Sequence, residues 1–140
     1  DYQGIIDELV NESEPWQGLD AATVMGHVHL HVAQLPATVK FYTEIVGFDL
    51  IMNWHNASFF SAGGYHHHLG ANTWAGVGAP PQPADAAGLR HYTVHLANAA
   101  EKDRLIERME GGGVQYQERG DGLFVRDPAK NGILFTWDSK

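Results

Sequence analysis

The sequence predicts an α+β domain in which two βαβββ modules form a half-open, curved sheet. The main observation is a repeat, because His91 follows His27 by 64 residues and similar patterns surround both histidines. After each of them, apolar residues first alternate with polar ones and then recur at helical spacing. Three short strand-like runs, separated by turn residues, follow each helical pattern. Self-similarity of this kind determines the architecture, because both copies must adopt the same local structure.

In the first module, apolar residues alternate with histidines from Gly26 to Val32, which predicts a strand. Helical spacing then runs from Leu35 to Val46, and Gly47 is a typical helix stop. Short runs rich in aromatic and β-favouring residues predict three further strands, over 49–54, 57–62 and 65–72.

The second module follows a crossover over 75–88 that is rich in Gly, Pro and Ala. This segment is long for a loop within a domain, so it is either a linker or a flap over a site. Alternation over 91–96 predicts the next strand, and Asn98 caps a helix that extends through Glu110. Three more strands are predicted, over 114–118, 123–126 and 133–137.

The acidity of the chain is concentrated before the repeat. The formal net charge is −8, and residues 1–20 contain six Asp or Glu and no Lys or Arg. We therefore expect residues 1–22 to be an acidic connector or linker, with a short amphipathic helix over 3–12, that leads from an upstream domain. The folded domain is expected over 23–140, with module one over 23–74, the crossover over 75–88 and module two over 89–138.

Composition excludes several classes of function. The chain has no cysteine, which rules out disulfide scaffolds, thiolate metal sites and a cysteine nucleophile. It has no apolar run of about 18 residues, and an acidic chain without a basic stripe is unsuited to nucleic acid. The common dinucleotide, P-loop, HExxH and GxSxG motifs are absent as well. We expect a cytoplasmic protein with neither a membrane nor a nucleic-acid partner.

All nine histidines lie between residues 27 and 95. Because strand side chains alternate between faces, His67 in a strand over 65–72 is expected to point away from the histidines on either side of it. The imidazoles of His27, His67 and His91, from three strands, are then expected to converge on one point. Imidazole suits borderline divalent metals such as Fe, Zn, Cu and Ni. One alternative is that the histidines only line a solvated pocket. Another is a cupin-like barrel, although a helix directly after the first strand disfavours that fold.

Four segments carry a resemblance to a known superfamily: GHVHLHV (26–32), FYTEIVGF (41–48), YHHHLGANTW (65–74) and DPAKNGILFTW (127–137). They resemble the opening and closing elements of vicinal oxygen chelate proteins, which include glyoxalase I, bleomycin-resistance proteins and type I extradiol dioxygenases. The chain is most similar to the C-terminal domain of catechol 2,3-dioxygenase-like ring-cleaving proteins. The resemblance covers residues 24–138 and implies the half-open fold predicted above.

The resemblance also implies a site. Its first two metal ligands fall on His27 and His67, whereas the third, normally a Glu, falls on Leu134, which cannot bind a metal. His91 occupies a fourth cleft position, so a three-histidine site is expected, holding Fe(II) or else Mn, Ni or Zn. The resemblance supplies no clear counterpart of the acid–base histidine, for which the candidates are His55 and secondly His29. The candidates for substrate binding are His95, Phe124 and Trp74.

The implied function is Fe(II)-dependent extradiol cleavage of a catechol-type aromatic ring with O₂. One alternative is a non-catalytic C-terminal half with a degenerate metal site, which serves packing or small-molecule binding. Another is a glyoxalase-type isomerase or lyase, although it relies on a carboxylate at the same position. The expected partners are an aromatic small molecule and either an upstream N-terminal domain or a second copy of the chain.

Overall fold

The structure, a computed structural model, describes residues 3, 7, 18–20, 22–23, 26–120 and 122–138. The helix expected over 3–12 lies outside them apart from Gln3 and Asp7, so it stays a prediction. The first module comprises β1 (Val28–His31), α1 (Leu35–Lys40), a π-helical segment (Phe41–Val46), β2 (Asp49–Asn53), β3 (Ala57–Ser61) and β4 (Leu69–Asn72). The second comprises β5 (Tyr92–Leu96), α2 (Ala99–Gly111), β6 (Tyr116–Arg119), β7 (Gly122–Arg126) and β8 (Gly132–Trp137).

The two modules have the same sheet topology, which confirms the predicted fold class. Their strand orders are β1-β4-β3-β2 and β5-β8-β7-β6, and in each sheet the first strand pairs in parallel with the last. Val28 lies opposite Leu69 and Tyr92 lies opposite Ile133. Both partners are therefore displaced by 64 residues, so the repeat holds in register as well as in sequence. Among the described residues no strand pairing joins the two sheets, which leaves the arrangement open.

The first helix begins and ends as its sequence predicts. Pro36 occupies the first turn, where the missing N–H costs nothing. The π-helical continuation ends at Gly47, which adopts a left-handed φ of 91°. There the Arg108 guanidinium of α2 donates hydrogen bonds to the carbonyls of Ile45 and Val46, at 2.8 and 3.1 Å. These bonds satisfy carbonyls at the helix end and tie the two helices together.

One face of each sheet forms a single core with the helices. Phe60, Leu105, Ile133 and Phe135 are fully buried, and each contributes about 1.5–3 kcal/mol by the burial of its apolar surface. Along β5, Tyr92 is buried and Thr93 is exposed, so the second face of the sheet points away from the core. This alternation is what makes the second face available for a site.

A buried polar network crosses the core between the modules. Tyr92 donates a hydrogen bond to the Tyr42 hydroxyl at 3.0 Å, and Tyr42 donates one to Asp127 at 3.1 Å. Asp127 is 1% exposed and also accepts hydrogen bonds from the backbone and side chain of Asn131. Burial raises the pKa of Asp127, and the hydrogen bonds from Asn131 and Tyr42 oppose this. The network fixes the turn before β8 against the first module.

Three further features of the structure relate to the sequence predictions. The crossover over 75–88 contains neither helix nor strand, as expected. Within the described part of the chain, helices are too short or too polar to cross a membrane. The strand expected over 65–72 begins only at Leu69, so the histidine triplet lies in the loop before β4.

Candidate functional site

A cavity of about 730 Å³ lies between the entries of β1 and β5. Five of the nine histidines line it, namely His27, His29, His68, His91 and His95. Because His27 and His91 immediately precede equivalent strands, the duplication itself brings them to opposite walls of one cavity. The sequence prediction that the two first strands present histidines to a shared cleft agrees with this geometry.

A compact cluster of three imidazoles includes His27, the one of its members that lines this cavity. The nearest ring nitrogens of His27, His66 and His67 all fall within 4.8 Å of one another. The ring of His27 is centred 4.2 Å from that of His67 and 4.8 Å from that of His66. The Tyr65 hydroxyl lies 3.5 Å from His27 Nε2, and the Tyr65 ring is centred 4.2 Å from that of His66 in a tilted arrangement.

The loop before β4 explains why His66 joins this cluster. Gly63 and Gly64 both have a positive φ, 66° and 73°, a conformation that other residues rarely adopt. They turn the chain sharply after β3, and the β-ladder resumes only when the His68 backbone donates a hydrogen bond to the Phe60 carbonyl at 2.8 Å. The expectation that His67 points away from both neighbours is therefore wrong, because strand alternation does not apply in this loop.

The surroundings of His67 favour its neutral form. Burial lowers the pKa of His67, and the neighbouring His27, His66, His29 and His68 lower it further. A neutral imidazole has a free lone pair, which is the form that binds a metal.

The donor set therefore fits a divalent metal. Imidazole nitrogens bind such ions at about 2.0–2.1 Å, so ligands of one ion lie roughly 3–4 Å apart, and modest side-chain rotation in the cluster is enough to reach this separation. None of its ligands is a carboxylate, so the set resembles an all-imidazole site, which Zn, Cu, Fe and Ni accept.

His91 and Leu134, the other two positions raised by the sequence, lie in the second module. His91 is exposed, lines the cavity opposite the cluster and has its ring 6.3 Å from that of Phe124. It is absent from the group of residues whose nitrogens come within 4.8 Å. Leu134 is half-buried, pairs with Thr93 and Phe124, and does not line the cavity.

His29 is the better placed of the two acid–base candidates. It lines the cavity, and its ring lies 5.2 Å from that of Trp74 and 6.0 Å from that of Phe59. His55 lies instead in the turn between β2 and β3, where it borders a small depression against α1 that includes Leu35. The structure thus separates His55 from the histidine-lined cavity.

The predicted substrate-binding residues occupy three different environments. Trp74 is 65% exposed beside His29. His95 lines the cavity, with Nδ1 3.1 Å from the Thr136 hydroxyl. Phe124 is buried beneath the guanidinium groups of Arg119 and Arg126.

Sequence reasoning missed His66 and Tyr65 as members of the site. The available signal was the Gly63-Gly64 pair directly before them, because two adjacent glycines favour a turn rather than an early start of the strand.

Comparison with known proteins places these features in a family context. The Glyoxalase/Bleomycin resistance protein/Dioxygenase superfamily matches residues 24–135. The chain is 40% identical over 136 residues to a catechol-2,3-dioxygenase of Bacillus subtilis, a match that covers 96% of this chain and 47% of that protein. The chain therefore spans about half the length of this relative.

Solved structures share the fold at low identity. A lactoylglutathione lyase from Agrobacterium tumefaciens superposes with a TM-score of 0.63 at 18% identity, covering 84% of this chain and 96% of the other. The trypanothione-dependent glyoxalase I of Leishmania major gives a TM-score of 0.61 at 21% identity, covering 82% and 86%. These likenesses support the architecture alone.

Proposed function

The chain belongs to the Glyoxalase/Bleomycin resistance protein/Dioxygenase superfamily, and from this premise we propose that it is a metal-dependent, ring-cleaving dioxygenase domain for catechol-type aromatics. The observation that carries the proposal is the cluster of His27, His66 and His67. Through His27 the cluster reaches a cavity of about 730 Å³, which is large enough for an aromatic ring. The 40% identity to a protein named catechol-2,3-dioxygenase supports the choice of reaction.

In this proposal His27 and His67 hold the metal, and His66 supplies the third nitrogen. The distances favour His66 over His91, which the sequence suggested for that role. Fe(II) is the proposed metal, with Mn, Ni or Zn as alternatives that the same imidazole set accepts. When bound, such a metal acts as a Lewis acid and presents open positions for oxygen ligands.

The side chains around the cluster orient the substrate and move its protons. His29 faces the cavity and is proposed to accept a proton from a substrate hydroxyl, because it combines access to the cavity with a position fixed by its neighbours. The exposed Trp74 ring beside it offers an aromatic face on which a planar substrate can stack. His95, held by Thr136, contacts the substrate from the opposite sheet.

Metal analysis of the purified protein tests the assignment. We expect about one equivalent of divalent metal, abolished by His27→Ala or His67→Ala and strongly reduced by His66→Ala. His55→Ala is the matched control, because this histidine lies in a different part of the surface. Loss of the metal in His91→Ala with retention in His66→Ala would move the third ligand to the second module, and the absence of stoichiometric metal would refute the site.

Ring cleavage tests the reaction. The Fe(II)-loaded protein and catechol with O₂ are expected to give a yellow product, which is lost in the same variants that lose the metal. Because the named relative is about twice as long, the assay should include the chain joined to its upstream N-terminal domain, the proposed partner, and a measurement of whether two copies associate. A metal-loaded protein that cleaves no catechol in either form would overturn the dioxygenase assignment and leave the isomerase chemistry to be tested.

A further inference from the structure

A second cavity of about 860 Å³ adjoins the first, between the crossover and the second sheet. Its wall is strongly basic, because Arg90, Arg119, Arg126 and Lys130 line it and Asp85 is the one acid among its lining residues. These are four of only nine Lys and Arg residues in a chain with a formal net charge of −8. His91 lines both cavities, so they share a wall.

The cations of this cavity are not neutralised by described carboxylates. Ion pairs within the described residues engage Lys102, Arg104 and His95, and none involves a cation of the second cavity. Arg119 donates a hydrogen bond to Gln117, and Arg126 donates one to the Lys130 carbonyl at 2.6 Å. Both partners are neutral, so the guanidinium charges remain available to an anion.

The aromatic floor of the cavity holds the two guanidinium groups in place. The Arg119 group lies 3.7 Å from the centre of the Phe124 ring, and the Arg126 group lies 5.3 Å from it. Stacking on an aromatic face restricts a guanidinium while leaving its N–H edge free to bind oxygen atoms. A planar carboxylate matches this edge with two parallel hydrogen bonds.

The internal repeat gives an independent reason to regard this place as a site. A shift of 64 residues relates His27, His66 and His67 to His91, Lys130 and Asn131, and all three of the latter line the second cavity. In both modules the residue before the first strand therefore comes together with the loop before the last strand. This combination carries three imidazoles in the first module, and an imidazole, an ammonium group and an amide in the second.

The backbone at Lys130 strengthens this comparison. Its φ of 73° is the only positive value at a described non-glycine residue. Glycine is favoured in that conformation, so the lysine places its charge on the cavity wall at some cost in backbone strain.

We propose that the second cavity binds the carboxylate of an aromatic substrate whose ring is held in the first cavity. The inference rests on the proposed function and narrows its substrate class to catechols that bear a carboxylate arm. Arg119 and Arg126 bind the carboxylate through their N–H edges, Lys130 adds a third positive charge, and His91 lies where the arm passes between the cavities.

Binding of phenylacetate to the intact protein tests the subsite without turnover, because this probe has a carboxylate and no hydroxyls for a metal. We expect titration calorimetry to detect phenylacetate and to find no binding of its neutral analogue, 2-phenylethanol. Arg126→Gln should weaken phenylacetate binding about tenfold, the loss expected for a charge-assisted hydrogen bond. Arg104→Gln is the matched control, because Arg104 lies exposed on α2 and outside the cavity.

Lys130→Gly distinguishes a loss of binding from a loss of folding. Glycine adopts a φ of 73° readily, so the melting temperature should stay level or rise while phenylacetate binding falls. Equal binding of phenylacetate by all variants would overturn the inference, and so would displacement by inorganic phosphate as effective as by phenylacetate itself.

Catalysis separates this inference from the proposed function. The ratio of kcat/KM for 3,4-dihydroxyphenylacetate to that for 4-methylcatechol should be high and should fall about tenfold in Arg126→Gln. If both catechols are cleaved with equal efficiency, the carboxylate subsite is refuted and the dioxygenase assignment stands. If neither is cleaved while the variants still lose phenylacetate binding, the proposed function is refuted instead.

Discussion

Gly70 controls the position of His29, and Gly70→Ala measures how much that position matters. The two residues are paired across β1 and β4, and a Cβ atom at Gly70 would lie 3.0 Å from His29 Nδ1 and 3.1 Å from Cε1. Ordinary contact begins at 3.4 Å, so the imidazole must shift by about 0.4 Å. Because the atoms in contact belong to a movable side chain, the protein should remain folded, at a cost of about 0.5–1.5 kcal/mol for the displaced rotamer.

The expected effect on catalysis follows from the size of this shift. A misplacement of about 1 Å costs roughly a hundredfold in rate, so a shift of about 0.4 Å predicts a loss in kcat of about sixfold. The bound metal should be unchanged, since His29 is outside the proposed ligand set. Initial rates of ring cleavage, metal content and thermal unfolding are the measurements, with Gly111→Ala as the control because nothing lies within 4 Å of the new Cβ there.

A double-mutant cycle tests whether the effect acts through His29. His29→Ala alone should lower kcat by about 10²–10⁴-fold if the residue is an acid–base catalyst. In that background Gly70→Ala should have no further effect, since the imidazole that it displaces is gone. If Gly70→Ala costs the same with and without His29, the mutation acts through the sheet and the reasoning about His29 is refuted.

Three further predictions concern residues outside the proposed ligand set. The raised pKa of Asp127 means that the folded state binds the proton of this carboxyl more tightly than the unfolded state does. The contribution of Asp127 to stability is therefore present below pH 3.8 and is lost as pH rises through the folded pKa. In urea titrations the difference in unfolding free energy between wild type and Asp127→Asn should fall over this window, and a constant difference would contradict the prediction. His31→Leu should raise the unfolding free energy by about 1 kcal/mol, because both His31 ring nitrogens are buried without a hydrogen-bond partner among the described residues; destabilisation in the same titration would mean that they have one. Leu134→Glu should leave metal affinity unchanged, because Leu134 lies in the second sheet between Thr93 and Phe124, whereas the proposed ligands belong to the first module. Tighter binding in a metal titration would shift the metal towards the second module.

The architecture was predictable because the sequence patterns that indicate it are local and occur in both modules. Strand and helix periods of 2 and 3.6 residues occur in both copies, and the offset between His27 and His91 recurs in the pairing of both sheets. The family resemblance, drawn from four short segments, is confirmed by a match over residues 24–135. His27 and His67 do lie close together, although His67 lies in the loop before β4 and not in the strand expected over 65–72.

The details that the sequence did not reveal depend on where regular structure stops. His66 enters the cluster because two left-handed glycines delay the start of β4, and a pattern of alternation carries no information about such a delay. His55 lies beside α1 because the short connection between β2 and β3 turns towards the helix. The overall composition did not predict the basic cavity, because its cations come from separate segments of an acidic chain.

The departure at Leu134 has a physical counterpart in the first module. The 64-residue shift relates Leu134 to Gly70 and Thr93 to His29, and both pairs are adjacent across parallel strands. The first module combines a large imidazole with a glycine, whereas the second combines a small hydroxyl residue with a leucine. In each pair a larger and a smaller side chain fill a similar volume, but the larger one is on the first strand in module one and on the last strand in module two. At this pair of positions a polar ring lines the cavity only in the first module, which also carries the three clustered imidazoles. The two modules therefore differ in the side chains that they carry at equivalent positions. The proposed metal centre depends on the imidazoles of the first module, and the proposed carboxylate subsite depends on the cations of the second.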